Sequence, residues 1–142
     1  MNKEIEAAVG WWKQALSSFV FQDNGDPLQT AMATWRRDRQ PKPTPQQLDD
    51  FASAMTALLT ASLRDGWDKA KADPNWGCAT EGRSLYVDYG PSGILLMAAE
   101  MAGIRYGTTL FPIKTSMHIN PGKVTAKQGY GAPDKVIYEE GK

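Results

Sequence analysis

The stretch IKTSMHI, residues 113–119, decides the fold class because every second side chain belongs to one inward-facing set. Successive residues of a β-strand point to opposite faces, so this alternation predicts a half-buried strand with His118 on its polar face. Pro121 and Gly122 follow and suit the middle of a tight turn, so residues 124–128 are expected to return as the second arm of a hairpin. One polar face indicates a sheet that helices cover on one side only.

The surrounding second half of the chain predicts further strands and one helix. Residues 84–89 and 135–138 have strand composition. Between them, the turn Gly90-Pro91-Ser92-Gly93 leads into an apolar helical pattern that Gly103 ends. Another apolar segment, Leu110-Phe111-Pro112-Ile113, comes next. The order strand, helix, apolar segment predicts a β-α-β unit, with Pro112 at a strand start or edge.

Before Pro74 the hydrophobic period is helical instead. A first stripe recurs every three or four residues and predicts a core-facing helix: Ile5, Val9, Trp12, Leu16 and Phe19. Asp26-Pro27 resembles a helix start, and the second apolar set is Leu28, Ala31, Met32 and Trp35. Thr44-Pro45-Gln46-Gln47 has the form of a capping box and predicts the longest helix, at about 45 to 64. The stripes assign Trp35 to the core, and Met55, Met97, Met101 and Met117 occupy predicted core positions as well.

Together these elements predict an α+β fold in a single domain, residues 1–142. Three N-terminal helices (1–65) and one later helix are expected to pack on a small mixed or antiparallel sheet of three or four strands. The strands come from the β-α-β and hairpin region, 84–139. A long loop, 66–83, joins the two parts, and Trp67–Ala72 can add one helical turn there. Such loops are usually functional or disordered.

Composition excludes several classes of function. Sixteen basic residues balance sixteen acidic ones, so no overall field attracts nucleic acid or anionic lipid, and neither partner is favoured. One cysteine and one histidine leave neither an intramolecular disulfide nor a Cys/His zinc site, and no cofactor motif is present. The chain has neither a signal-peptide pattern nor an apolar stretch of membrane-spanning length, which predicts a cytoplasmic protein without membrane contact.

Two candidate sites involve polar chemistry. Cys78 and His118 are the one thiol and imidazole that could form a nucleophile–base pair, which would indicate a cysteine-dependent hydrolase. The Gly90 to Gly93 turn precedes a predicted helix, where backbone N–H groups can bind a small anionic ligand. Pro91 removes one such donor, and the sequence contains neither a dinucleotide fingerprint nor a P-loop lysine. An ordinary helix start explains this turn better than ligand binding does.

Aromatic residues in predicted loops give a third candidate. Trp67 and Trp76 lie in the 66–83 loop, Tyr89 adjoins Gly90, and Tyr130 is flanked by glycines. Amphipathic aromatics are enriched at protein interfaces, although a loop tryptophan can equally anchor the loop to its own core. The leading hypothesis is a non-enzymatic intracellular interaction protein with a protein partner and a regulatory or inhibitory role. Small size, neutrality and lack of motifs are also typical of accessory proteins of phages and other mobile elements; self-association stays open.

Overall fold

A computed structural model describes residues 1–18, 27–39, 41–73, 83–88, 90–91, 93–105, 110–129 and 131–142. The predicted helix start at Asp26, the apolar Phe19 and the segment 74–82 lie outside these ranges. Within them the elements are, in chain order, α1 (Asn2–Ser18), α2 (Pro27–Asp38), α3 (Pro45–Leu63), a 3₁₀ turn (Arg64–Gly66), α4 (Trp67–Ala72), β1 (Ser84–Val87), α5 (Gly93–Met101), β2 (Thr115–Asn120), β3 (Lys123–Gln128) and β4 (Lys135–Glu139).

The four strands form one antiparallel sheet in the order β1-β2-β3-β4. The hairpin prediction is confirmed: Asn120 pairs with Lys123 across a two-residue turn of Pro121 and Gly122. Gly122 has φ +79°, the left-handed conformation that the second central position of a type II turn requires. The alternation is confirmed as well, because Met117 and Ile119 are buried while His118 is half-buried on the opposite face.

Helices cover one face of this sheet. α1 packs on β2, β3 and β4, and α3 lies between α1 and α5. The aromatic centre of the core consists of Trp12, Phe51 and Phe111, with ring centroids 5.9 Å apart for Trp12 and Phe111 and 6.0 Å apart for Phe51 and Phe111. The observed arrangement of helices on a four-stranded sheet confirms the predicted α+β fold.

The capping box sets the start of α3. The Gln47 backbone N–H donates to Thr44 Oγ1 at 3.1 Å, and the Thr44 N–H donates to Gln47 Oε1 at 3.0 Å. These reciprocal bonds satisfy two backbone donors at the helix start. Gln47 also donates through Nε2 to the carbonyl of Gly103, at 3.0 Å, which ties this end of α3 to the end of α5.

Of two predictions about the middle of the chain, one is wrong and one is confirmed. The expected strand at Leu110–Ile113 does not form; β2 begins at Thr115 and pairs antiparallel with β1. Phe111 instead turns into the aromatic core, and Pro112 cannot donate to a strand ladder. The predicted loop at 66–83 begins as helix α4, so the additional helical turn expected there is present.

The core assignment of six side chains is also wrong. Met55 and Met117 are buried as predicted, but the following are exposed: Leu28, Ala31, Met32, Trp35, Met97 and Met101. A helical stripe shows which residues share a face, and whether that face is covered depends on contacts distant in sequence. Uncovered apolar stripes on α2 and α5 are therefore features that the sequence pattern alone could not distinguish from core.

Candidate functional site

The sheet face opposite the helices is the first candidate surface. We call it the open sheet face; it consists of outward-pointing residues from all four strands: Ser84, Tyr86, Ser116, His118, Thr125, Lys127 and Val136. Tyr86 and Val136 are exposed, and the other members are half-buried. Tyr86 on β1 and Val136 on β4 lie at opposite edges of the sheet, with polar side chains between them. An exposed aromatic ring with a polar surround is a composition found at protein interfaces.

A cross-strand pair lies within this face. Ser84 and His118 are register partners on β1 and β2, and Ser84 Oγ shares a hydrogen bond of 2.9 Å with His118 Nδ1. Sequence analysis identified His118 as polar-facing but did not identify Ser84, Tyr86 or Val136. Alternation within residues 84–87 could have placed Ser84 and Tyr86 on one face, whereas pairing with His118 depends on the register between distant segments.

The predicted Cys78–His118 pair is only half described, because Cys78 lies outside the described ranges. The other member of the pair, His118, uses its Nδ1 atom in the hydrogen bond with Ser84 Oγ. Within the described ranges, no group of three or more His, Cys, Asp or Glu residues lies close enough to hold a metal ion. The thiol–imidazole hypothesis stays a prediction.

The Gly90 to Gly93 turn is compact where it is described. The Asp88 N–H donates to the Gly90 carbonyl at 3.2 Å, and Val87 forms a β-bridge with Pro91. The backbone N–H of Asp88 is therefore used within the turn. Gly90 is exposed, and α5 begins at Gly93, while Tyr89 and Ser92 lie outside the described residues. Ligand binding at this turn stays a prediction.

The aromatic residues proposed from the sequence separate into two groups. Trp67, at the start of α4, is only 4% exposed and belongs to the hydrophobic core, which favours the anchoring role over contact with a partner. Trp76, Tyr89 and Tyr130 lie outside the described ranges. The described neighbours of the two tyrosines, Asp88 and Gly129, both hydrogen-bond to Lys114 at one end of the sheet.

The second candidate surface is on α2. We call it the α2 stripe; its members are spaced at helical intervals of four, three and four: Leu28, Met32, Trp35 and Arg39. At 100° per residue they fall within an arc of about 60°. The exposed fractions of Leu28, Met32 and Trp35 are 69%, 41% and 57%. The Arg39 guanidinium lies 4.1 Å from the Trp35 ring centroid, in a cation–π contact that leaves the rest of the stripe open.

Comparison with known proteins assigns the chain to a family. A family model described as the BTG family matches residues 31–138. Among solved structures, the chain is similar to a variant of the C. elegans FOG-3 BTG/Tob domain, with a TM-score of 0.65, 17% sequence identity, and coverage of 98% of this chain and 82% of that one. No curated protein sequence gives a significant match. Among the described helices, none has the length and apolar character to cross a membrane. Because the family match extends over most of the length of this chain and the structural likeness supports the same fold, the chain belongs to the BTG family.

Proposed function

We propose that this protein acts without catalysis, as a regulatory domain that binds another protein through the open sheet face. Membership of the BTG family supports this class of function, because BTG/Tob domains are small interaction modules. The observation that carries the choice of surface is the exposed Tyr86 on an edge strand, with the Ser84–His118 pair beside it and Val136 across the sheet.

The physical character of the face suits protein binding better than catalysis. A partner that covers the face would bury the Tyr86 ring, which contributes a large contact area at small conformational cost. The hydrogen-bonded Ser84 and His118 side chains would give the polar part of the interface a fixed orientation. The loop aromatics Trp76, Tyr89 and Tyr130 remain proposed contributors. Cytoplasmic location and association with a mobile element remain predictions that no observation on the described residues favours.

Native mass spectrometry of the protein, purified gently from its own host, tests the proposal. We expect a stoichiometric macromolecular partner on the wild type and its loss from a variant carrying Tyr86→Ala and Val136→Asp, with folding checked by circular dichroism. Met101→Ser is the matched control, because Met101 is exposed on α5 rather than on a strand. A bare wild-type monomer, or a partner retained equally by both variants, contradicts the proposal.

A further inference from the structure

The α2 stripe is an apolar surface without a partner in the described structure. Its three apolar members extend over eight residues, whose seven steps rise about 10 Å along the helix, and each exposes a large side chain. No described helix or strand packs extensively against α2. Scattered apolar residues on a surface are ordinary, but three in line on one helix face form the kind of contiguous patch that marks an interaction site.

The charges at the end of the stripe constrain what can bind there. Arg39 lies in line with the apolar residues, and the exposed Lys42 follows it, whereas the exposed Asp38 lies about 60° outside the arc of the stripe. At the other end of α2 the first turn contains no acidic residue. A partner that covers the apolar residues and extends past Trp35 therefore meets cationic groups, so carboxylates at that position would be complementary.

The same charges disfavour a second copy of this chain as the occupant. Two α2 stripes packed antiparallel would bring Arg39 of each copy to the N-terminal end of the other helix, which already has a positive partial charge. Parallel packing would bring the two Arg39 side chains together. In addition, three side chains provide much less than the roughly 800 Å² per partner that a stable dimer usually buries.

We propose that the α2 stripe is the docking site for an amphipathic helix of another protein, with apolar residues spaced to match Leu28, Met32 and Trp35 and carboxylates facing Arg39. Helix-on-helix recognition is read through anchors at i, i+3 or i+4 and i+7, which is the spacing that the stripe presents. This surface is separate from the open sheet face, so the proposal does not depend on the function proposed for that face.

A displayed library of random 14-residue helical peptides is the direct probe. The library is selected on the full chain and then depleted on the Trp35→Ser variant. We expect the enriched peptides to combine an i, i+4, i+7 apolar pattern with an excess of Glu and Asp over Lys and Arg. Affinity of individual peptides should fall about tenfold or more with Trp35→Ser or Met32→Ser, as for anchors at the centre of an interface.

Matched variants distinguish specific binding at the stripe from nonspecific hydrophobic binding. Met97→Ser removes a methionine that is 50% exposed on α5, close to the 41% of Met32, and should leave peptide binding unchanged. Arg39→Glu should weaken binding of the acidic peptides, and binding should return when their carboxylates are replaced by Lys. Tyr86→Ala should leave peptide binding intact even if it abolishes the interaction proposed for the open sheet face.

Several results would overturn the proposal. The first is that the selection yields no peptide whose binding depends on the stripe, and the second is that it yields basic peptides. The third is that peptides carrying Lys in place of their carboxylates fail to restore binding to the Arg39→Glu variant. Stripe-dependent binding to vesicles of phosphatidylcholine and phosphatidylserine would assign the surface to a membrane instead. Stripe-dependent binding of a single-stranded RNA oligonucleotide would assign it to nucleic acid, and a dimer in sedimentation that Trp35→Ser dissociates would assign it to self-association.

Discussion

The indole Nε1–H of Trp12 donates to Met117 Sδ across 3.2 Å, and this contact joins α1 to the centre of the sheet. Both side chains are fully buried, and 105 positions separate them in the chain. A buried indole N–H needs an acceptor, because loss of its bond to water is otherwise uncompensated. A thioether is a weak acceptor, yet its flexible side chain also fills the space beneath the aromatic core.

This relationship predicts that Met117→Leu destabilises the protein by about 1 to 2 kcal/mol, since volume is nearly kept while the indole loses its acceptor. The penalty should be smaller when Trp12→Phe is also present, because no buried donor then remains. Urea unfolding of the four proteins in this double-mutant cycle measures the coupling. Equal costs of Met117→Leu in both backgrounds would show that packing, rather than the hydrogen bond, determines the effect.

Trp67 and Trp35 should differ sharply in their contribution to stability. Trp67→Ala removes a core side chain and is expected to lower the free energy of unfolding by about 3 to 5 kcal/mol. Trp67→Phe should be milder, because Trp67 Nε1 has no hydrogen-bond acceptor among the described residues. Trp35→Ala, on the exposed stripe, should change stability by about 0.5 kcal/mol or less.

Unfolding followed by circular dichroism provides this measurement for all three variants. A small cost for Trp67→Ala would contradict its assignment to the core and would return it to the group of candidate binding residues. A large loss of stability for Trp35→Ala would show that α2 is covered in solution. That outcome would contradict the exposure of the stripe.

Local signals explain which parts of the fold were predictable. The capping box at Thr44 and the Pro121–Gly122 turn depend on residues a few positions apart, and both occur as expected. Burial of a helix face depends on distant partners, so the same period that correctly placed Trp12 in the core misplaced Trp35. Phe111 likewise had strand-like neighbours, but its contacts with Trp12 and Phe51 determine its position.

The candidate site was less predictable for a related reason. Alternation placed His118 on a polar strand face, but its hydrogen bond with Ser84 requires the β1–β2 register, which no local pattern specifies. The sequence places Trp67 in a predicted loop because α4 has only six residues, which are too few to show a clear helical period of apolar residues. The functional roles proposed from the sequence stay predictions for four residues: Cys78, Trp76, Tyr89 and Tyr130.

The capping box should contribute measurably to stability. Thr44→Ala removes the oxygen that accepts the Gln47 N–H and is expected to cost about 1 kcal/mol. Thr56→Ala is the matched control within the same helix, where the hydroxyl donates to the Ala52 carbonyl four residues earlier. Alanine has the higher helix propensity at such an exposed interior position, so this control should be neutral or slightly stabilising. Equal effects of both substitutions on the urea midpoint would exclude a specific capping contribution.

Glu4 is the buried carboxylate whose protonation should affect stability. Its Oε2 lies 2.8 Å from the Met1 amino group, and its Oε1 accepts the Gly122 N–H at 3.4 Å, which links α1 to the β2–β3 turn. Burial is the largest single influence and acts to raise the pKa of Glu4. The hydrogen bond and positive charge of the amino group, with backbone N–H groups of Glu4 and Gly122, together outweigh burial and hold the pKa below its ordinary value of 4.5.

A lowered pKa in the folded state means that the folded state favours the charged carboxylate, so the stabilisation is fully present above pH 4.5 and is lost as the pH falls through the lowered folded pKa. For a chain that begins at Met1, Glu4→Gln should therefore lower the free energy of unfolding by about 1 to 2 kcal/mol at pH 6. The difference from wild type should shrink as the pH falls below 4.5. Glu6→Gln, which changes an exposed carboxylate on the same helix, is the matched control, and its free energy of unfolding at pH 6 should differ little from that of the wild type. Urea unfolding between pH 3 and 6 provides the comparison, and a Glu4→Gln deficit that stays constant over that range would mean that the charge of Glu4 does not stabilise the fold.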